Sequence, residues 1–172
     1  DQDKAIQIAS ETINTFEKMY EEKWTNMMRD KLGLFGLENE DKSLILDLLT
    51  WMHENKADYT NTFCHLMNLE PKKNDLYKNE NFLNWKLRWR DRLTKNNNSP
   101  EKYIKLMRNN NPLVVPRNLK VEEALDEAEQ NNFDSVNQLI NIFNHPYIIQ
   151  ENITDYQVLH PTDKKYKTFC GT

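Results

Sequence analysis

The apolar positions of this chain recur at gaps of three and four, the period of one helix face. Ile6, Ala9, Ile13, Phe16, Tyr20, Trp24 and Met27 form the first stripe, with Glu17, Lys18, Glu21, Glu22 and Lys23 largely on the other side. The spacing predicts a long helix that runs to Leu32 with its stripe turned to a core. Gly33 is the natural C-terminal stop. A second helix is expected from Asp41 to His53, with Leu44, Ile45, Leu48, Leu49 and Met52 inward. A short one fits Tyr59 to Leu69, ended by Pro71, and Lys72 to Asn79 reads as a polar connection. Asn81 to Lys95 follows as a helix whose Phe82, Trp85, Trp89 and Leu93 share a face.

Ser99-Pro100 starts the next helix, a capping hydroxyl before a proline in the first turn. It carries Tyr103, Ile104 and Met107 and stops in Asn109-Asn110-Asn111-Pro112. After a stiff connector to Pro116, Asn118 is placed to cap a helix with Val121, Ala124, Leu125 and Ala128 inward. Asn131-Asn132 turns the chain into a last helix with Phe133, Val136, Leu139, Ile140 and Phe143 inward, closed by Pro146. Nothing alternates with period two for long. The fold class is therefore all-α: a single helical bundle-like domain over residues 1–146, with an irregular C-terminal tail over 147–172.

Composition narrows the function. The 172 residues hold three glycines, which excludes the glycine-cradled phosphate loops of many nucleotide-binding proteins. No stretch approaches the ~18 consecutive apolar residues of a membrane span, and no signal-peptide pattern opens the chain. No membrane partner is expected. The first residue is Asp1 rather than Met, so a piece of a longer protein is expected.

The net charge of −4 is unevenly spread: residues 71–120 carry 13 bases against 4 acids, between flanks rich in acids. Such a segment can bind an anion, a nucleic acid or an acidic partner, or it can pack beside acidic helices of its own domain. The acidic whole favours internal packing, and no nucleic-acid partner is expected. The run Trp85-Lys86-Leu87-Arg88-Trp89-Arg90-Asp91-Arg92 looks like a single-strand binding stripe. Its tryptophans are four apart on the face of Phe82 and Leu93, so they read as core, and the arginines read as the solvated back.

Candidate chemistry is sparse. His53, His65, His145 and His160 show no metal-ligand spacing. Cys64 and His65 are neighbours, which point about 100° apart on a helix and form no ready nucleophile–base pair. Cys64 reads as a small core residue. Glu122, Glu123, Asp126, Glu127 and Glu129 read as a solvated face on the first turns of a helix, favoured by its dipole. Two cysteines without a C-x-x-C make no disulfide framework, and the reducing cytoplasm is the expected compartment. The residues alone name no catalytic group, no metal ligand and no cofactor-binding residue in this chain.

Three separated blocks point further. The first is Lys31-Leu32-Gly33-Leu34, continuing through Asp47-Leu48-Leu49 to Asp58-Tyr59-Thr60-Asn61-Thr62-Phe63. The second is Met107-Arg108, Asn111-Pro112, Pro116-Arg117-Asn118 and Val121-Glu122-Glu123-Ala124-Leu125. The third is Pro146-Tyr147 with the terminal Tyr166-Lys167-Thr168-Phe169-Cys170-Gly171-Thr172. In this order and spacing the chain resembles the C-terminal part of the selenoprotein O / YdiU family. Leu119 and Cys64 depart from that pattern, which often has His and Arg there.

The resemblance implies a longer protein with a protein-kinase-like fold, which transfers AMP from ATP to protein hydroxyls with a divalent metal, Mg or Mn. The ATP and metal residues would then lie upstream, and this chain would brace the kinase-like lobe. Some members place selenocysteine third from the end, where Cys170 stands. Cys170, with Lys164, Lys165 and Lys167 nearby, is the redox candidate, implied to pair with an upstream cysteine. Arg117 and Asn118 are expected as a buried cap and clamp between two helices. The rival reading is a non-catalytic interaction module that uses the basic segment 71–120 to hold an acidic partner.

Overall fold

The computed structural model describes residues 2–69 and 74–158, and these are all-α: helices and turns with no strand among the described residues. The helices are α1 (Gln2–Lys31), α2 (Asp41–Glu54), α3 (Tyr59–Leu66), α4 (Glu80–Thr94), α5 (Pro100–Asn110), α6 (Asn118–Glu129), α7 (Asp134–Phe143) and α8 (Ile153–Gln157). One 3-10 turn, Asp75–Lys78, stands where a polar connection was expected, because Tyr77 folds in and is buried. Contacts divide the chain between Leu113 and Val114, so the helices that the sequence presents as one domain to residue 146 pack as two compact units.

The first unit is built on aromatic side chains of α4. Phe82, Trp85, Trp89 and Leu93 are buried as their spacing predicts, and Trp85 stacks on Trp89 at 6.0 Å and 7°. Each indole N–H must find an acceptor once it leaves water. Trp85 Nε1 donates to the Leu44 carbonyl at 2.8 Å, Trp89 Nε1 to the Leu32 carbonyl at 2.9 Å, and Trp51 Nε1 to Asn79 Oδ1 at 3.2 Å. These bonds fix α4 against α2 and the end of α1 in one register. Asn79 also caps α4 by accepting from the Phe82 amide, and Asp58 caps α3 by accepting from Asn61 N at 2.8 Å.

Gly33 ends α1 as expected, for two reasons. Its φ of +72° is left-handed, and Leu34 N closes the helix on the Arg29 carbonyl at 2.9 Å. A Cβ there would also stand 3.0 Å from both Met107 Cγ and the Tyr103 carbonyl of α5. With so few glycines, asparagine supplies most other left-handed turns: Asn68, Asn97, Asn131 and Asn152 all have positive φ. The asparagine richness has a backbone use.

Several expected faces are corrected. In α1 the stripe is not buried: Ile6, Ile13, Phe16 and Tyr20 are each more than half exposed, Trp24 is half-buried, and Met28 and Leu32 enter the core instead. In α6 Leu125 is exposed while Ala124 is buried, and in α7 Phe133 and Ile140 are exposed while Ile142 is buried. Asn118 does not cap α6 and is exposed, since Arg117 takes the N-cap position without a side-chain cap bond. Ser99 takes the N-cap position of α5 without capping it, and its side chain bonds Glu101, whose carboxyl it holds below the usual range. The expected tail is not irregular throughout, because α8 forms within it.

The second unit joins α6 and α7 through the left-handed turn at Asn131. Ser135 Oγ donates to Glu127 Oε2 across the two helices at 2.6 Å. Gln150 Nε2 then satisfies the Ile142 and His145 carbonyls at the end of α7, at 3.0 and 2.8 Å. Such groups are left open at every helix terminus.

Candidate functional site

Parts of the first two sequence blocks, Lys31, Tyr59, Phe63, Met107 and Asn111, meet at the C-terminal end of α1. Lys31 Nζ donates to the Asn110 carbonyl at 2.9 Å and to Asn111 Oδ1 at 3.3 Å. It lies over the Tyr59 and Phe63 rings, 5.6 and 5.3 Å from their centroids, close enough for cation–π attraction. Asn111 is 1% exposed, and its Nδ2 returns bonds of 2.8 Å to the carbonyls of Lys31 and Met107. Residues 80 apart in sequence thus satisfy each other's chain ends, and α1, α3 and α5 are clamped together. Burial lowers the Lys31 ammonium from its ordinary 10.5 and raises the Tyr59 hydroxyl from its ordinary 10.0. The Tyr59 hydroxyl sits 3.4 Å from Met28 Sδ.

A second polar cluster lies beside it. Asp41, 2% exposed, accepts from Arg92 Nε at 2.6 Å and Arg92 Nη2 at 3.1 Å. Arg29 Nε reaches the same carboxylate at 3.0 Å as an ion pair, and its Nη1 donates to Asn26. Arg92 also donates to the Phe35 and Gly36 carbonyls, so the one guanidinium holds α2 and the loop after α1. The expectation that the α4 arginines form a solvated back holds for Arg88 and Arg90 and is corrected for Arg92, which is 2% exposed. The hydrogen bonds it makes are what permit a charge to be buried.

Arg88 of α4 and Lys95 just after it face acids of their own unit, while Lys86 lies 3.4 Å from His65 Nε2. Arg88 Nη1 meets Asp47 at 2.6 Å, and Lys95 meets Glu40, whose carboxyl is held below the usual range by that bond. Basic and acidic helices therefore pack together, as the internal reading of segment 71–120 expects. Lys102, Lys105 and Arg108 remain on the exposed face of α5.

Cys64 is buried in α3 with Sγ 3.9 Å from the Leu113 carbonyl, a core residue as read. His65 stacks on Tyr77 at 3.9 Å and 11°, whereas His53 and His145 are exposed. The acidic residues of α6 begin after its first turn, so the dipole does not explain them; Glu127 instead accepts from Ser135 and Asn132. His160 and the redox candidate Cys170 lie outside the described residues. Among the described residues no group of three or more His, Cys, Asp or Glu could hold a metal ion, and no helix is long and apolar enough to cross a membrane. A cleft of about 240 Å³ between α2 and α4 is lined by Trp51, Glu54, Asn81 and Asn84 beside the Arg88–Asp47 pair.

Both clusters join helices of the first unit. Lys31 has two oxygen acceptors, and Asp41 has two guanidiniums. Sequence reading missed Asn111, Asp41 and Arg92 as structural centres. The signal was present for Arg92, seven residues after Trp85 and so on nearly the same side of α4.

Comparison with known proteins identifies the family. The family described as protein adenylyltransferase SelO matches residues 5–144. A protein of Pelagibacter ubique called protein nucleotidyltransferase YdiU is 48% identical over 99% of this chain, which spans 36% of that relative. Proteins of the same name from Alcanivorax borkumensis and Bacillus thuringiensis are 44% and 40% identical over 99% and 100% of the chain, again 36% of their length. With the match covering most of its residues, the chain belongs to the SelO family of protein adenylyltransferases.

Proposed function

We propose that this chain is the helical C-terminal region of a protein that transfers AMP from ATP to hydroxyl side chains of other proteins, and that it braces the catalytic part instead of carrying the chemistry. The observation behind this reading is the Lys31–Asn111 clamp, where buried polar groups of α1 and the end of α5 are spent on joining helices. The relatives are nearly three times as long as the chain, which leaves room elsewhere for a nucleotide site. In this reading ATP and the divalent metal, Mg or Mn, are held by that remainder. The metal would offset the phosphate charge there. The rival interaction module has less support, because Arg88, Arg92 and Lys95 of the basic segment are already paired within the unit.

The test is incubation of the full-length protein and of this segment with labelled ATP, Mg or Mn and a protein acceptor. Label transferred by the full-length protein alone is the expected result, and transfer by the purified segment would overturn the bracing role. In the same reading Cys170 forms a disulfide with a cysteine of the remainder. Two thiols lose two protons and two electrons to a disulfide oxidant, and activity falls. Peptide mapping without reductant should find that cross-link, and activity indifferent to oxidant in wild type and Cys170→Ser alike would remove it. Both roles belong in the cytoplasm, where such a disulfide would be transient and regulatory.

A further inference from the structure

Helix α1 leaves a run of large apolar side chains open between Ile6 and Met27. Ile6, Ile8, Ile13, Phe16, Met19 and Tyr20 are 53–70% exposed, and Met27 is 42% exposed. The contrast with the end of the same helix is one of direction. At about 100° per residue, Met27 points about 100° away from Met28 and about 140° away from Leu32. Met28 and Leu32 face the core of the first unit, at 1% and 0% exposure. The open stripe is therefore a second face of α1, turned away from the core that holds its end.

That face is broad. From Ile8 and Met19 at one edge to Ile6 at the other it covers about 160° of the helix circumference, wider than the narrow seam of a two-stranded coiled coil. Lys23 also falls within it, where a coiled-coil seam would want an apolar residue. The charged residues Glu11, Glu17, Lys18, Glu21 and Glu22 keep to the opposite side. A wide apolar face with a charged back is the pattern of a helix laid on a globular layer. Without such a layer, a helix this exposed is marginal in water, because packing supplies most helical stability.

We propose that the α1 face from Ile6 to Met27 is covered by the remainder of the same polypeptide, which makes α1 the joint between this region and the catalytic part. The proposal rests on the bracing role above and names its surface. The occupant follows from chain length: the relatives carry nearly two-thirds of their length outside the matched region.

Oxidative footprinting of the full-length protein tests this, reading the labelling rates of Phe16, Met19, Tyr20 and Met27 by peptide mass against the unfolded protein. The expected result is at least tenfold protection in a species that light scattering shows to be a monomer. Labelling at the unfolded rate would overturn the proposal. So would protection that vanishes on dilution as a dimer dissociates, which would assign the face to a second copy. Phe16→Asp in the full-length protein should expose the other three positions, and Phe16→Leu should restore protection. If Phe16→Asp leaves those rates unchanged in a folded protein, the face is not the joint. Nucleotide transfer is read separately: a protected monomer that transfers no AMP supports the joint and counts against the catalytic reading.

Discussion

Helices α1 and α4 carry the same sequence signal and have opposite fates. Each has aromatic side chains at helical spacing, Phe16, Tyr20 and Trp24 in one and Phe82, Trp85 and Trp89 in the other. In α4 all three are buried, and both indoles donate to carbonyls of other elements. In α1 Phe16 and Tyr20 stack on each other at 6.0 Å, are more than half exposed, and Trp24 is half-buried. The difference lies in the partner. Periodicity reports that a face needs covering, and it does not report what covers it.

The sharpest way to break this contrast is to remove charge or bulk on the buried side. Asp41→Ala leaves Arg29 and Arg92 buried without their carboxylate and should cost about 3–5 kcal/mol, read from denaturant unfolding. Trp89→Ala should cost roughly as much, about 3–5 kcal/mol, through the cavity and the lost bond to Leu32. An unmoved midpoint in either variant would mean that α4 is not the centre of the first unit.

Gly33→Ala should have a middle effect, about 1–3 kcal/mol, because the left-handed φ and the 3.0 Å approach to α5 both resist a Cβ. Gly33→Asn separates the two causes. It relieves the backbone part and keeps the contact, so recovery close to wild type would show that the approach to Met107 is soft.

The Lys31 clamp predicts a pH signature. Its lowered pKa means that the unfolded chain holds the proton longer, so this group makes stability rise as pH climbs through the window below 10.5. Tyr59 acts in the opposite sense, because its raised pKa makes stability fall above 10.0. Lys31→Met removes the rising contribution, and thermal unfolding followed from neutral to alkaline pH should then fall more steeply than in wild type. Equal slopes would show that the ammonium is not desolvated in the folded state.

The smallest effect is expected on the open side. Phe16→Ala in this chain by itself should change stability by no more than about 0.5 kcal/mol, as at other exposed positions. A loss near that of Trp89→Ala would show that the α1 face is covered within this chain.

Much of the fold was legible. The α2 and α4 faces, the stop at Gly33 and the core place of Cys64 all follow from residues close in sequence. The α7 face was read in part: Val136, Leu139 and Phe143 are half-buried, whereas Phe133 and Ile140 are exposed and Ile142, about 160° round the helix from Ile140, is buried outside the predicted stripe. The clamp was less legible. Its members lie in α1, α3 and the end of α5, and no local pattern says that Asn111 will meet Lys31.

The sequence by itself determined that the chain is helical, where most helices begin and end, and which family it belongs to. Those features rest on local propensity, caps, breakers and ordered motifs. Tertiary structure decided which faces are covered and which charges are buried, because burial depends on groups far apart in the chain. Arg92 shows the reason: the same side chain is a solvated arginine in isolation and a buried link once Asp41, Phe35 and Gly36 surround it.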